Sequence, residues 1–170
     1  LESTIRGMEY ITREKMPGHN APKILRTNLS TFWNFWMVFR YLARPEMQKH
    51  DLYAGIQYIL NKDDVFVPGG YLFLSQRTMR MLIRKESELD KTIIDDISIG
   101  RFMKKNKVRI TYNLEACIIE DETSVDNVLH KRQCQEQFIY RIKTINQIDD
   151  AHLWLRLYTE YYDRPQVSLV

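Results

Sequence analysis

Apolar positions along this chain follow helical spacing in some stretches and extended alternation in others, which predicts a mixed α/β layer. Over residues 1–16, Ile5, Met8 and Ile11 share one stripe with Tyr10 beside them, and Pro17-Gly18 ends the helix. Lys23–Thr27 predicts a short strand entering a turn at 28–30. From Phe32 to Ala43 the spacing is helical. Phe32, Phe35, Trp36, Phe39 and Leu42 are expected to meet a core, with Arg44-Pro45 at the exit.

Short extended runs follow at 52–54, 57–60 and 65–68, with a charged turn at 61–64 between the last two. Leu74-Ser75 predicts a strand end and a helix cap, and the helix runs through Arg84 with Met79, Leu82 and Ile83 inward. Residues 85–91 make a surface loop. Asp95 or Asp96 is expected to cap a helix reaching about Lys105, with Ile99 and Phe102 facing inward. Alternation predicts strands at 108–111 and 138–143, the second placing Arg141 and Lys143 on one face. A last helix begins near Asp149 and carries Leu153, Leu157 and Tyr161 on one side.

Composition narrows this picture little. With 170 residues and 44% apolar content, the chain can bury a core of its own, which sets aside a disordered or fibrous polymer. No stretch approaches about 18 consecutive apolar residues, so no membrane-crossing helix is expected. Charge is uneven: residues 77–109 hold ten bases and five acids, and 115–126 hold five acids and no base. Such polarity can orient a phosphate-bearing ligand, or it can be two solvated faces. Cys117 and Cys134 lack metal-knuckle spacing and are expected as two buried thiols, with a single disulfide as the alternative. The chain begins at Leu1, and the sequence is expected to be part of a longer protein.

Chemistry gathers in a few places. Pro68-Gly69-Gly70-Tyr71 precedes an apolar run, where paired glycines serve either a turn of positive φ or a close approach of ligand to backbone. No phosphate-binding glycine fingerprint is present. Asp95-Asp96 opens a helix: one acid can cap it while its neighbour faces a cleft and accepts a proton from a sugar hydroxyl. Arg141 and Lys143 could offset pyrophosphate charge or form a surface pair.

In order, these pieces resemble the second half of a GT-A-type glycosyltransferase and are most similar to the Fringe and β1,3-galactosyltransferase group. Gly69, Gly70, Ser75, Asp95, Asp96 and Gly100 carry the match, and Glu2-Ser3 with Lys15 resembles the helix before that group's metal-binding strand. The resemblance implies an α/β fold with a GT-A-like mixed sheet and flanking helices, in which 1–170 is the acceptor-side portion. Its partners would be a nucleotide-sugar donor, a glycan, protein or lipid acceptor, and a missing N-terminal half of the same fold. It implies inverting transfer with Asp96 as base and Asp95 as its orienting neighbour. Gly69, Gly70, Tyr71, Arg26, Asn28, Arg141 and Lys143 would bind substrate.

One departure concerns metal. Where the group presents an Asp-x-Asp motif, this chain reads Leu25-Arg26-Thr27-Asn28-Leu29-Ser30. No certain cofactor follows. Mn²⁺ or Mg²⁺ in the complete enzyme would be weakly held, with no ligand set assigned and His130 or Glu136 at most a late contributor. Two rivals remain: a catalytically inactive glycosyltransferase-like structural or interaction domain, and a basic nucleic-acid-binding domain. No recognition module supports the latter, and no specific nucleic acid is expected.

Overall fold

A computed structural model describes residues 1–12, 23–28, 30–111, 114, 116–130, 139–143 and 147–163. The chain divides into two compact units, one of 1–27 and 43–114, the other of 28–42 and 115–170. The fold is mixed α/β, with small antiparallel and mixed sheets and flanking helices.

In the first unit, α1 (Glu2–Ile11) buries Ile5 and Met8 as its stripe predicts; the expected extension to 16 lies outside the described residues. Strands β1 (Lys23–Thr27) and β3 (Tyr53–Ala54) flank β6 (Tyr71–Ser75) in an antiparallel sheet, with Arg26 opposite Leu72. β4 (Tyr58–Ile59) and β5 (Val65–Phe66) pair antiparallel across the 61–64 turn, where the Asn61 side chain accepts the N–H groups of Asp63 and Asp64. Among the described residues, Gly55 is the glycine with positive φ, and a Cβ there would lie 2.2 Å from the Tyr71 carbonyl oxygen. Gly69 and Gly70 have no positive φ, so the turn they form is not one that requires it.

Ser75 ends β6 and caps α3 (Gln76–Arg84), its Oγ accepting the Thr78 N–H at 3.2 Å. This junction was legible in Leu74-Ser75. α4 (Asp95–Lys105) buries Ile99 and Phe102 as predicted. A Cβ on Gly100 would fall 2.5 Å from that of Phe66, so the bare glycine lets α4 lie against β5. Ile5, Met8, Tyr53, Leu72, Leu74, Met79, Leu82, Ile99 and Phe102 join in one core. Each large apolar side chain buried there contributes about 1.5–3 kcal/mol.

Two expectations fail in this unit. The cap of α4 is Ile94 with no side-chain hydrogen bond, and Asp95 and Asp96 lie inside the first turn. The Asp96 N–H is instead satisfied by Asp95 Oδ1 at 3.0 Å. Residues 108–111 form no strand: Val108 is buried, but the segment meets the sheet through the Thr111 N–H on the Tyr53 carbonyl.

In the second unit, β2 (Thr31–Trp33), β8 (Ile139–Ile142) and β7 (Cys117–Ile119) form a mixed sheet. β2 runs antiparallel and β7 parallel to the central β8. The expected helix from Phe32 therefore starts later, as α2 (Phe35–Leu42), because Thr31–Trp33 pairs with β8. Its buried side is Val38 and Tyr41, while Phe35, Trp36 and Phe39 are 48%, 60% and 64% exposed, the reverse of the predicted face. β7 and α5 (Glu122–His130) were not anticipated within the acidic run. α6 (Gln147–Tyr158) continues into a π-helical turn at Thr159–Asp163 and buries Leu153 and Leu157 as expected.

Phe32, Cys117, Ile119, Val125, Tyr140, Ile142, Leu153 and Leu157 make the second core. The Tyr140 and Tyr161 hydroxyls share a hydrogen bond of 2.7 Å within it, and the Tyr162 hydroxyl donates to the Trp33 carbonyl. Cys117 is disulfide-bonded, which corrects the expectation of two thiols in favour of its alternative; Cys134 lies outside the described residues. Among the described residues, no helix is long and apolar enough to cross a membrane.

Candidate functional site

The first unit gathers residues that are far apart in sequence around the start of α4. Arg26 reaches from β1 so that NH1 donates to Asp96 Oδ1 at 2.8 Å and NH2 to Asp95 Oδ2 at 2.7 Å. One planar guanidinium thus spans two neighbouring carboxylates, a geometry a lysine could not match. The three side chains are 29%, 18% and 19% exposed for Arg26, Asp95 and Asp96, so the group is sheltered but reachable from solvent. From α1, the Thr4 hydroxyl donates to Asp95 Oδ2 at 2.8 Å.

Gly69 completes the arrangement. Its backbone N–H lies close enough to the Asp96 carboxylate to favour the charged form. A Cβ built on it would lie 2.5 Å from both Cζ and NH1 of Arg26 and 2.8 Å from Asp96 Oδ1. The absent side chain is therefore the space the guanidinium fills, the close-approach role that a bare glycine permits. Gly70 is buried, and the Tyr71 N–H closes the turn on the Pro68 carbonyl at 3.0 Å before β6 begins. Below this turn the buried Tyr53 hydroxyl accepts the Val67 N–H at 2.9 Å. Burial pushes the Tyr53 phenol up, and the Asp96 charge adds to that.

The two adjacent acids are driven apart. Burial acts on Asp95 to raise its pKa, but the Thr4 hydroxyl and the charge of Arg26 outweigh it and hold the group below the ordinary Asp value. Asp96 is raised, chiefly by burial and further by the charge of Asp95, against the lowering effects of the Gly69 N–H and Arg26. Pairs of carboxyl groups with opposed shifts are how proteins separate a fixed charge from a proton acceptor.

The remaining predicted site residues belong to the second unit. Arg141 donates through NH1 to Asn28 Oδ1 at 2.9 Å and also to the Ser30 hydroxyl. Asn28 Oδ1 further accepts from the Ser30 hydroxyl at 3.1 Å and the Thr31 hydroxyl at 2.7 Å. An amide oxygen already holding three donors, one of them cationic, does not suit a divalent cation. Lys143 follows β8 and is exposed, its N–H on the Ile119 carbonyl. Among the described residues, no group of three His, Cys, Asp or Glu side chains is placed to hold a metal ion; Glu136 and the His130 side chain lie outside them.

Sequence reasoning missed Thr4 and Tyr53. Thr4 is a polar position on an amphipathic helix, and nothing local marks its partner 91 residues away. No protein-family model matches this chain, and no match was found among curated proteins.

Proposed function

We propose that this chain is the acceptor-side part of a GT-A-type glycosyltransferase, similar to the Fringe and β1,3-galactosyltransferase group, in which Asp96 is the general base. The observation that carries this reading is the meeting of the glycine segment with the acid pair: Gly69 on Asp96, with Arg26 between Asp96 and Asp95. These are the motif residues on which the resemblance rests.

In the reaction, Asp96 takes the proton of an acceptor hydroxyl as that oxygen bonds to the anomeric carbon of the donor sugar. The bond from that carbon to the nucleoside diphosphate breaks, with inversion. Base catalysis of this kind is worth about 10²- to 10⁴-fold. For Asp96 to receive a proton, the substrate must share or displace the Arg26 contact. Arg26 is already countered by two carboxylates, and Arg141 and Lys143 belong to the second unit, so no residue of the first is assigned to leaving-group charge. The residues at Asn28 do not fit a metal, and no step is drawn through one.

A catalytically inactive relative is the second reading, favoured by the hold of Arg26 on both acids. Titration of the complete protein with nucleotide-sugars, followed by a transfer assay on a panel of acceptors, separates the two. The enzyme binds a donor and turns it over. A complete protein that binds no donor and transfers no sugar would overturn the proposal.

A further inference from the structure

We infer that Thr4 is a positioning residue for the acid pair, its hydroxyl joining Arg26 in fixing Asp95 so that Asp96 is the acid left to take a proton. The role in transfer rests on the glycosyltransferase reading; the hold on Asp95 does not.

Occupancy of the carboxylate oxygens carries the argument. Asp95 Oδ2 receives both the Thr4 hydroxyl at 2.8 Å and Arg26 NH2 at 2.7 Å, and Oδ1 receives the Asp96 N–H at 3.0 Å. Both oxygens are therefore engaged, and the plane of the group is set from three directions. Asp96 is held by Arg26 NH1 alone among the described side chains, with the Gly69 backbone beside it. Thr4 is suited to this task because α1 is anchored: Ile5 and Met8 beside it are buried in the first core. A hydroxyl also steadies Asp95 without adding charge, so the group of two carboxylates and one guanidinium keeps one net negative charge. A second cation there would neutralise the base as well as the anchor. The charged side chains acting on Asp95 are Arg26 and Asp96, and a change at Thr4 leaves both in place.

The test is carboxyl-carbon NMR titration of the 170-residue chain as wild type, Thr4→Val and Thr4→Ser, with transfer measured on the complete protein. Loss of one hydrogen bond to an ionised carboxylate should move the Asp95 midpoint up by about half to one pH unit in Thr4→Val. Thr4→Ser should restore it, and the gap to Asp96 should narrow only in the valine variant. In the complete protein, kcat of Thr4→Val should fall about tenfold with KM little changed, and recover in Thr4→Ser. Thr4 is partly exposed, so valine should fold; Thr4→Ala provides a second hydroxyl-free variant. An Asp95 midpoint unmoved in a folded hydroxyl-free variant overturns the inference. A midpoint that moves and is rescued by serine supports the hold on Asp95, even if the wild-type complete protein transfers nothing, in which case the glycosyltransferase reading falls.

Discussion

Arg26 and Arg141, one in each unit, are alike in the sequence and held in opposite ways. Arg26 forks between the carboxylates of Asp95 and Asp96, whereas Arg141 is bound by the side-chain oxygens of Asn28 and Ser30. The first guanidinium is outnumbered by negative charge. The second has no carboxylate partner among the described residues. A cation spent on a carboxylate pair organises a site, and a cation among neutral acceptors remains able to attract an anion. The first unit therefore holds its arginine inside an ion-pair group, and the second holds its arginine on neutral acceptors.

Exchanging each arginine for alanine is the strongest way to break that contrast. Arg141→Ala should leave the Asp95 and Asp96 carboxyl signals in place, while its loss of neutral hydrogen bonds costs about 1 kcal/mol of stability. Arg26→Ala should move those signals and destabilise the chain by about 1–3 kcal/mol, since two neighbouring carboxylates lose their shared cation in a partly exposed setting. Arg26→Lys should recover little, because a point charge cannot span both acids. Urea unfolding and carboxyl-carbon NMR provide both readings, and indistinguishable profiles for the two alanine variants would end the comparison.

The second unit has a covalent constraint that sharpens the distinction. Cys117→Ser removes the disulfide and should cost about 2–4 kcal/mol. Its effect should appear in the aromatic core around Phe32 and Tyr140, with the Asp95 and Asp96 carboxyl signals unchanged. Coincident loss of both sets of signals would show that the units melt as one.

The smallest effect is confined to acid and to the first unit. Asp64 is buried and held at a pKa of about 2, first by the hydrogen bonds from Arg101 and then by the Asn61 amide. Because that value lies below the about 3.9 of free Asp, the contribution to stability is fully present above the latter. It disappears as pH falls through the folded-state value. Stability should therefore decline more steeply between about pH 5 and pH 2 in the wild type than in Asp64→Asn. Parallel acid limbs would remove Asp64 from the account.

Strands and helices with one polar side were legible in the sequence. Lys23–Thr27, the Ser75 cap, and the inward faces of Gln76–Arg84 and Asp95–Lys105 follow from period and capping chemistry alone. Where polarity failed to mark a side, the pattern misled. Phe35–Leu42 is apolar nearly all round, so its period alone does not mark Val38 and Tyr41 as the buried side. Cys117–Ile119 was hidden because a three-residue apolar run among acids carries too little periodicity to identify a strand. The acid pair was visible as chemistry, but its arrangement was not. Thr4, Arg26 and Gly69 reach it across long sequence separations, and no local rule predicts a glycine whose missing side chain makes room for a guanidinium.

The central claim is that the two neighbouring acids have different tasks, with Asp96 the base and Asp95 its fixed neighbour. Transfer by the complete protein bearing Asp96→Asn, set beside Asp95→Asn and the wild type, tests it most directly. Asp96→Asn should lose about 10²- to 10⁴-fold in kcat while remaining folded. Asp95→Asn should lose less in kcat and more in stability, since the amide loses the charge paired with Arg26 and has one acceptor atom, so it cannot take Thr4 and Arg26 on one side and the Asp96 N–H on the other. Near-normal turnover by a folded Asp96→Asn protein would contradict the account.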